Sequence, residues 1–177
     1  MLVWGRRSAD TRPILRDGTT VASVRPLEIR DHAAIEIDGA AWSYYTRRDE
    51  LFGTRAGESK PTLRATRPTR RTWIVLVDGT EYRIEQFGLP RSRFTVARSG
   101  MDIGSSGTTG LRRRRPTLDV GSETPLEHQV FLLWVAFVMR GRPGVRTRRN
   151  SYTGGAGGAA PAAGAYGDMG VGGDGGI

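Results

Sequence analysis

Residues 123 to 144 read ETPLEHQVFLLWVAFVMRGRPG, and from Val130 to Met139 every side chain is apolar. Such a stretch is either a membrane anchor or the centre of a core. Thr124 occupies a good N-cap position, Pro125 suits the first helical position, and Glu127 lies three residues after Thr124. That spacing is a capping box, in which hydroxyl and carboxylate satisfy orphan backbone donors. Arg140 favours the negative end of the helix dipole, and Gly141 and Pro143 terminate the run. The spacing predicts a helix over 125–140, about 24 Å long at a rise of about 1.5 Å per residue. A spanning helix needs about 20 apolar residues, and Glu127, His128 and Gln129 leave this one well short. Successive apolar residues cover the whole circumference of a helix, so it must be buried all round. Leu126, Val130, Phe131, Leu133, Trp134, Phe137 and Val138 are its core side chains. One sheet face cannot bury them, whereas a sheet curled around the helix can.

The sequence before the helix supplies such a sheet. Asp17-Gly18, Asp38-Gly39 and Asp78-Gly79 each sit between alternating segments, and Asp-Gly suits two-residue hairpin turns with positive φ at both positions. The clearest hairpin is RTWIVLV-DG-TEYRIEQ, with Trp73, Val75 and Val77 on one face and Tyr82 and Ile84 on the returning face. In the second, Ile35 and Ile37 are answered by Trp42 and Tyr44. The first reads PILR-DG-TTVASV, and LVWGR, PTLRAT and SRFTVAR also alternate. Roughly ten short strands with frequent turns indicate an all-β sandwich or barrel. No helical period precedes residue 120. With one apolar helix following, the expected fold is a β-barrel with the helix threaded through it.

The remainder of the chain is composed differently. Residues 154–177 hold 11 of the 25 Gly, with Ala filling much of the rest. No apolar face there can offset the entropy of ordering, so the segment reads as a disordered tail. The expected organisation is a domain over 1–142 and a basic linker with a disordered tail over 143–177. The net charge is +9, with 26 Arg and the single Lys60. A basic surplus favours anionic partners, although a GC-rich genome would produce the same bias. Cys is absent, which excludes disulfides, thiolate metal sites and palmitoylation and fits a reducing cytoplasm. MLVWGRRSADTRP has no apolar h-region and does not read as a secretory signal.

The Asp-Gly hairpins, the acidic-Pro-Leu helix start and QVFLLWVAFVMR together resemble the tubby C-terminal-like superfamily, which includes phospholipid-scramblase-like and LURP-one-related proteins. The likeness covers about residues 2–142. It implies a closed antiparallel barrel of about twelve strands around a hydrophobic C-terminal helix. It also implies association with membranes, since tubby-type members bind phosphoinositides through basic surface residues. The chain departs from the scramblase pattern. It has no cysteine cluster, and MDIG offers Asp102 without a second acid in D-x-D spacing. No family site residue carries over.

Two Arg clusters are the candidate anion-binding residues. Arg112, Arg113, Arg114 and Arg115 lie in GLRRRRPTL. In a strand they would alternate between faces, so a loop or exposed edge is expected. Guanidinium forks there would match phosphates, and a merely solvated loop is the plainer alternative. Arg140, Arg142, Arg146, Arg148 and Arg149 form the second cluster, each worth about 1 kcal/mol near an anionic surface. The preceding GSSGTTG, residues 104–110, is rich in Gly and hydroxyls. It is neither a Walker loop nor a nucleophile elbow, and reads as a flexible hairpin loop. His32 is expected in a turn. His128 lies beside Glu127, and neighbours on a helix face apart, making a poor dyad. Trp4, Trp42, Trp73 and Trp134 are expected in the core.

These residues support no catalytic constellation, metal site or cofactor. The leading expectation is a non-enzymatic module that binds anionic phospholipid, cytoplasmic and peripheral to the inner face of the membrane. The alternatives are a nucleic-acid-associated or protein-interaction module, with an acidic protein as partner, and an integral protein anchored by residues 126–140.

Overall fold

The computed structural model describes residues 1–8, 10–28, 32–87, 93–110 and 115–141. Twelve antiparallel strands close into one barrel. They are β1 Leu2–Trp4, β2 Arg12–Arg16, β3 Thr19–Glu28, β4 His32–Ile37, β5 Ala40–Arg47 and β6 Glu50–Arg55, then β7 Leu63–Thr66, β8 Thr72–Val77, β9 Thr80–Gln86, β10 Phe94–Arg98, β11 Met101–Thr109 and β12 Arg115–Val120. Each strand pairs with the next, and β1 closes the ring by pairing with both β2 and β12. Among the described residues there is one helix, α1, from Leu126 to Gly141. It is too short and too interrupted to cross a membrane.

The turns behave as their residues dictate. Asp17, Asp38 and Asp78 have φ of 49°, 48° and 46°, and Gly18, Gly39 and Gly79 have 87°, 77° and 78°. Both central positions of each turn are therefore left-handed, the geometry that matches strand twist in a two-residue hairpin. Trp73 opposes Ile84 and Val75 opposes Tyr82 across one such turn. Across another, Ile35 opposes Trp42, while Tyr44 opposes Ala33. The inward set includes Ile14, Val24, Leu51, Leu63, Val75, Ile84, Val96 and Leu118, all buried.

The helix fills the barrel. Val130 through Ala136 are all 0% exposed, nearly two turns with no solvent-facing side. The Trp4 ring of β1 stacks on Phe137 at 4.6 Å. The Tyr44 ring of β5 lies 5.1 Å from Phe131 and 5.3 Å from Trp134. Tyr82 of β9 meets His128. These strands stand four apart in a ring of twelve, so the helix is held from three sides. All four Trp are buried. Val138 is fully buried, and Leu126 and Phe137 are partly so.

Four local expectations are corrected. The capping box does not form: the Thr124 hydroxyl is buried without a hydrogen-bond partner among the described residues, and Thr124 N donates to Gly121 O. Gln129 Nε2 donates to Thr124 O at 2.6 Å, which ties the first turn of the helix to the residue before it but leaves its orphan N–H donors uncapped among the described residues. Residues 104–109 are not a loop but part of β11, paired with β10 and β12. Gly104 sits at a β-bulge opposite Val96, where a Cβ would strike the Asp119 carbonyl of β12. Arg115 is a strand residue, opposite Thr109. His32 begins β4 rather than a turn, with Nε2 at 2.9 Å from Ser43 Oγ.

Candidate functional site

An up-and-down barrel sorts its connections by parity. Turns 17–18, 38–39, 78–79 and 99–100, with loops 56–62 and 121–125, lie at the rim where α1 begins. The β1–β2, β5–β6, β7–β8, β9–β10 and β11–β12 connections lie at the rim where α1 ends.

This sorting separates charge. The described connections at the helix-start rim carry Asp17, Asp38, Glu58, Asp78 and Glu123 against Lys60 and the N-terminal ammonium, which lies 3.7 Å from Asp17. Those at the helix-end rim carry Arg6, Arg7, Arg48, Arg67, Arg70, Arg71 and Arg93 against Asp10 and Asp49. The strand ends are mixed, with Arg12, Arg47, Glu50 and Arg115 at the second rim and Arg16, Arg55 and Arg98 at the first, so the separation belongs to the connections. Acids near the helix start and bases near its end also complement the helix dipole.

At the helix-end rim, Arg6, Arg47, Arg48, Arg70, Arg71 and Arg93 are exposed, and among the described residues none has an ion-pair partner. The Arg64–Glu50 pair at 2.6 Å lies on the wall behind them. The β7–β8 loop is organised from within. Arg67 donates to the carbonyls of Thr69 and Arg70, and Thr69 Oγ1 accepts from the backbone of Arg71 and Thr72. The Arg12 guanidinium lies 5.3 Å from the Trp4 ring centroid. Burial, then the nearby charge of Arg7, lowers its pKa. Between Arg67, Arg70, Trp73, Gln86, Phe94 and Met139 the rim encloses only about 20 Å³, room for about one water. An open depression of about 440 Å³ lies beside Arg47, Arg48, Asp49, Glu50 and Phe52 at the same rim, so the charge is presented on a surface with a shallow concavity rather than around a deep hole.

Arg140 stands apart from the cluster in which its sequence placed it. Its Nη2 donates to Ser106 Oγ at 2.8 Å, Ser106 Oγ donates to Thr117 O at 2.7 Å, and its guanidinium sits 5.0 Å from the Phe94 ring centroid. Burial lowers its pKa to about 10. This side chain ties the end of the helix to β10, β11 and β12. Arg115 is half-buried at the start of β12. Arg112, Arg113 and Arg114, and Arg142, Arg146, Arg148 and Arg149, lie outside the described residues, as does the linker and tail over 143–177. Gly110 and Arg115, on either side of residues 111–114, are both at the helix-end rim.

The opposite rim holds a polar chain that runs from buried Tyr82 and His128 out to exposed Asp78. The Tyr82 hydroxyl lies 2.9 Å from His128 Nδ1, and His128 Nε2 lies 3.4 Å from Asp78 Oδ2. Arg16 donates to Gln129 Oε1 at 3.1 Å. These contacts seal the mouth over the helix start. Rejecting Glu127 as a partner of His128 was right, but the actual partners could not be read locally, because they are 46 and 50 residues away. The rim arginines were missed for the same reason, being scattered from Arg6 to Arg93. Once the Asp-Gly turns are placed at one end, turn parity was the available signal.

No family model matches the chain, and neither a curated protein nor a solved structure does.

Proposed function

We propose that this chain is a non-enzymatic module that docks its helix-end rim on an anionic phospholipid surface. The observation that carries this reading is the collection of six exposed arginines without ion-pair partners from four separate connections and strand ends onto one rim. Each base near an anionic membrane contributes about 1 kcal/mol, so six held on one face give about 6 kcal/mol, a Kd of tens of micromolar in order of magnitude. Guanidiniums suit phosphates because their donor forks match the oxygens. The resemblance of the hairpins and apolar helix to tubby-like proteins supports a lipid partner over other polyanions.

Vesicle flotation of the full chain at about 0.15 M salt, where screening acts over about 8 Å, tests the reading. Flotation on phosphatidylserine-containing vesicles but not on neutral ones, persisting with duplex DNA as competitor, is the expected result. Loss of flotation to DNA would reassign the rim to nucleic acid. No flotation on either vesicle would overturn the proposal.

A further inference from the structure

Four large apolar side chains are exposed among the described residues: Met1, Leu76, Phe87 and Met101. Met1 and Met101 lie at the helix-start rim and Leu76 on the outer wall, so Phe87 is the one at the basic rim. It is 70% exposed. It also breaks a pattern. Along β9 the outward positions are Glu81, Arg83 and Glu85, and the next position outward by the period of two is Phe87. A strand that keeps water-facing polar residues ends on an exposed aromatic.

Its surroundings are fixed by backbone bonds. Phe87 N donates to Arg93 O at 3.1 Å, and Gln86 N donates to Arg71 O at 2.8 Å. Phe87 therefore stands on the seam between the segments carrying Arg70, Arg71 and Arg93. We propose that Phe87 is an insertion anchor, entering the headgroup–acyl boundary of an anionic bilayer while the flanking arginines hold the phosphates. This rests on the lipid reading above and adds to it a contact that salt does not screen. An aromatic ringed by bases is the composition that interfacial binders use, and burying its exposed area is favourable in lipid as in a core.

The chain has no cysteine, so Phe87→Cys provides one thiol for a polarity-sensitive fluorophore. Phe87 packs in no core, so the substitution leaves the fold intact. The expected result is a blue shift of the label on phosphatidylserine-containing vesicles and none on neutral vesicles or duplex DNA. In parallel, Phe87→Ser should weaken vesicle partitioning by about tenfold, with the salt dependence of the residual binding unchanged. If the wild-type chain floats but the label stays in a water-like environment and Phe87→Ser partitions normally, the anchor is overturned and the electrostatic reading stands. If the wild-type chain does not float, both fall. A label that responds to single-stranded DNA and not to vesicles overturns the anchor in favour of base stacking.

Discussion

His128 Nε2 lies 3.4 Å from the Asp78 carboxylate, across fifty residues of sequence. His128 is the first fully inward polar side chain of α1, and Asp78 is the first residue of a hairpin turn. Their meeting, with Tyr82 on the other ring nitrogen, fixes the height at which the helix sits in the barrel. His128→Phe keeps a planar aromatic ring, slightly larger than imidazole, and leaves the buried Tyr82 hydroxyl unpaired. The expected loss is about 1–3 kcal/mol, measured by urea unfolding. Unchanged stability would mean the chain of contacts does not hold the helix.

Tyr44 is a second buried hydroxyl, and it has no hydrogen-bond partner among the described residues. Burial, then the charge of Glu127, raises its pKa well above the usual tyrosine value. Below about pH 10 the hydroxyl is protonated in folded and unfolded chains alike, and stability does not depend on pH through it. Above that, the unfolded chain releases the proton while the folded chain retains it, so stability falls as pH rises. Tyr44→Phe should flatten the alkaline limb of a stability–pH curve. At neutral pH it should cost nothing or add about 1 kcal/mol, since an unsatisfied buried hydroxyl is removed.

Arg140 separates stability from binding. Arg140→Ala removes a hydrogen bond to Ser106 and a cation–π contact with Phe94, together about 1–3 kcal/mol. Thermal unfolding should shift down while flotation of the folded variant on anionic vesicles is nearly unchanged. Loss of flotation with unchanged unfolding would return Arg140 to the binding surface.

The rim arginines predict the opposite separation. Arg70→Glu with Arg71→Glu and Arg93→Glu should abolish flotation and leave the unfolding midpoint within about 0.5 kcal/mol of wild type, as exposed substitutions do. Glu58→Lys with Glu123→Lys, at the other rim, changes the net charge in the opposite direction and should not restore binding to the triple variant. Restoration would show that overall charge, not its placement, governs attraction.

The elements differ in how plainly their residues announce them. β8 and β9 alternate cleanly around an Asp-Gly turn, and their register follows directly. β6 was hidden because Gly53 stands where an inward apolar residue was expected; a Cβ there would press on Leu63 and Tyr44, so the glycine makes room for the Tyr44 ring. β11 was hidden because its inward side is small and polar: Ser106 faces in to meet Arg140. Both departures compensate for large side chains elsewhere in the barrel, which a local window cannot contain. The helix was legible because ten apolar residues in a row leave few alternatives. The basic rim was not, because it exists only once the connections are sorted between two ends.

The helix that fills the barrel is also the last described element in the chain. During synthesis, twelve strands are made before the segment around which they close. Until α1 emerges, Trp4 and Tyr44 lack the Phe137, Phe131 and Trp134 rings they pack on. Translation at about 5–20 residues per second makes this interval seconds long for the growing chain. For that interval the inward apolar faces of the strands stay open to water and to other chains.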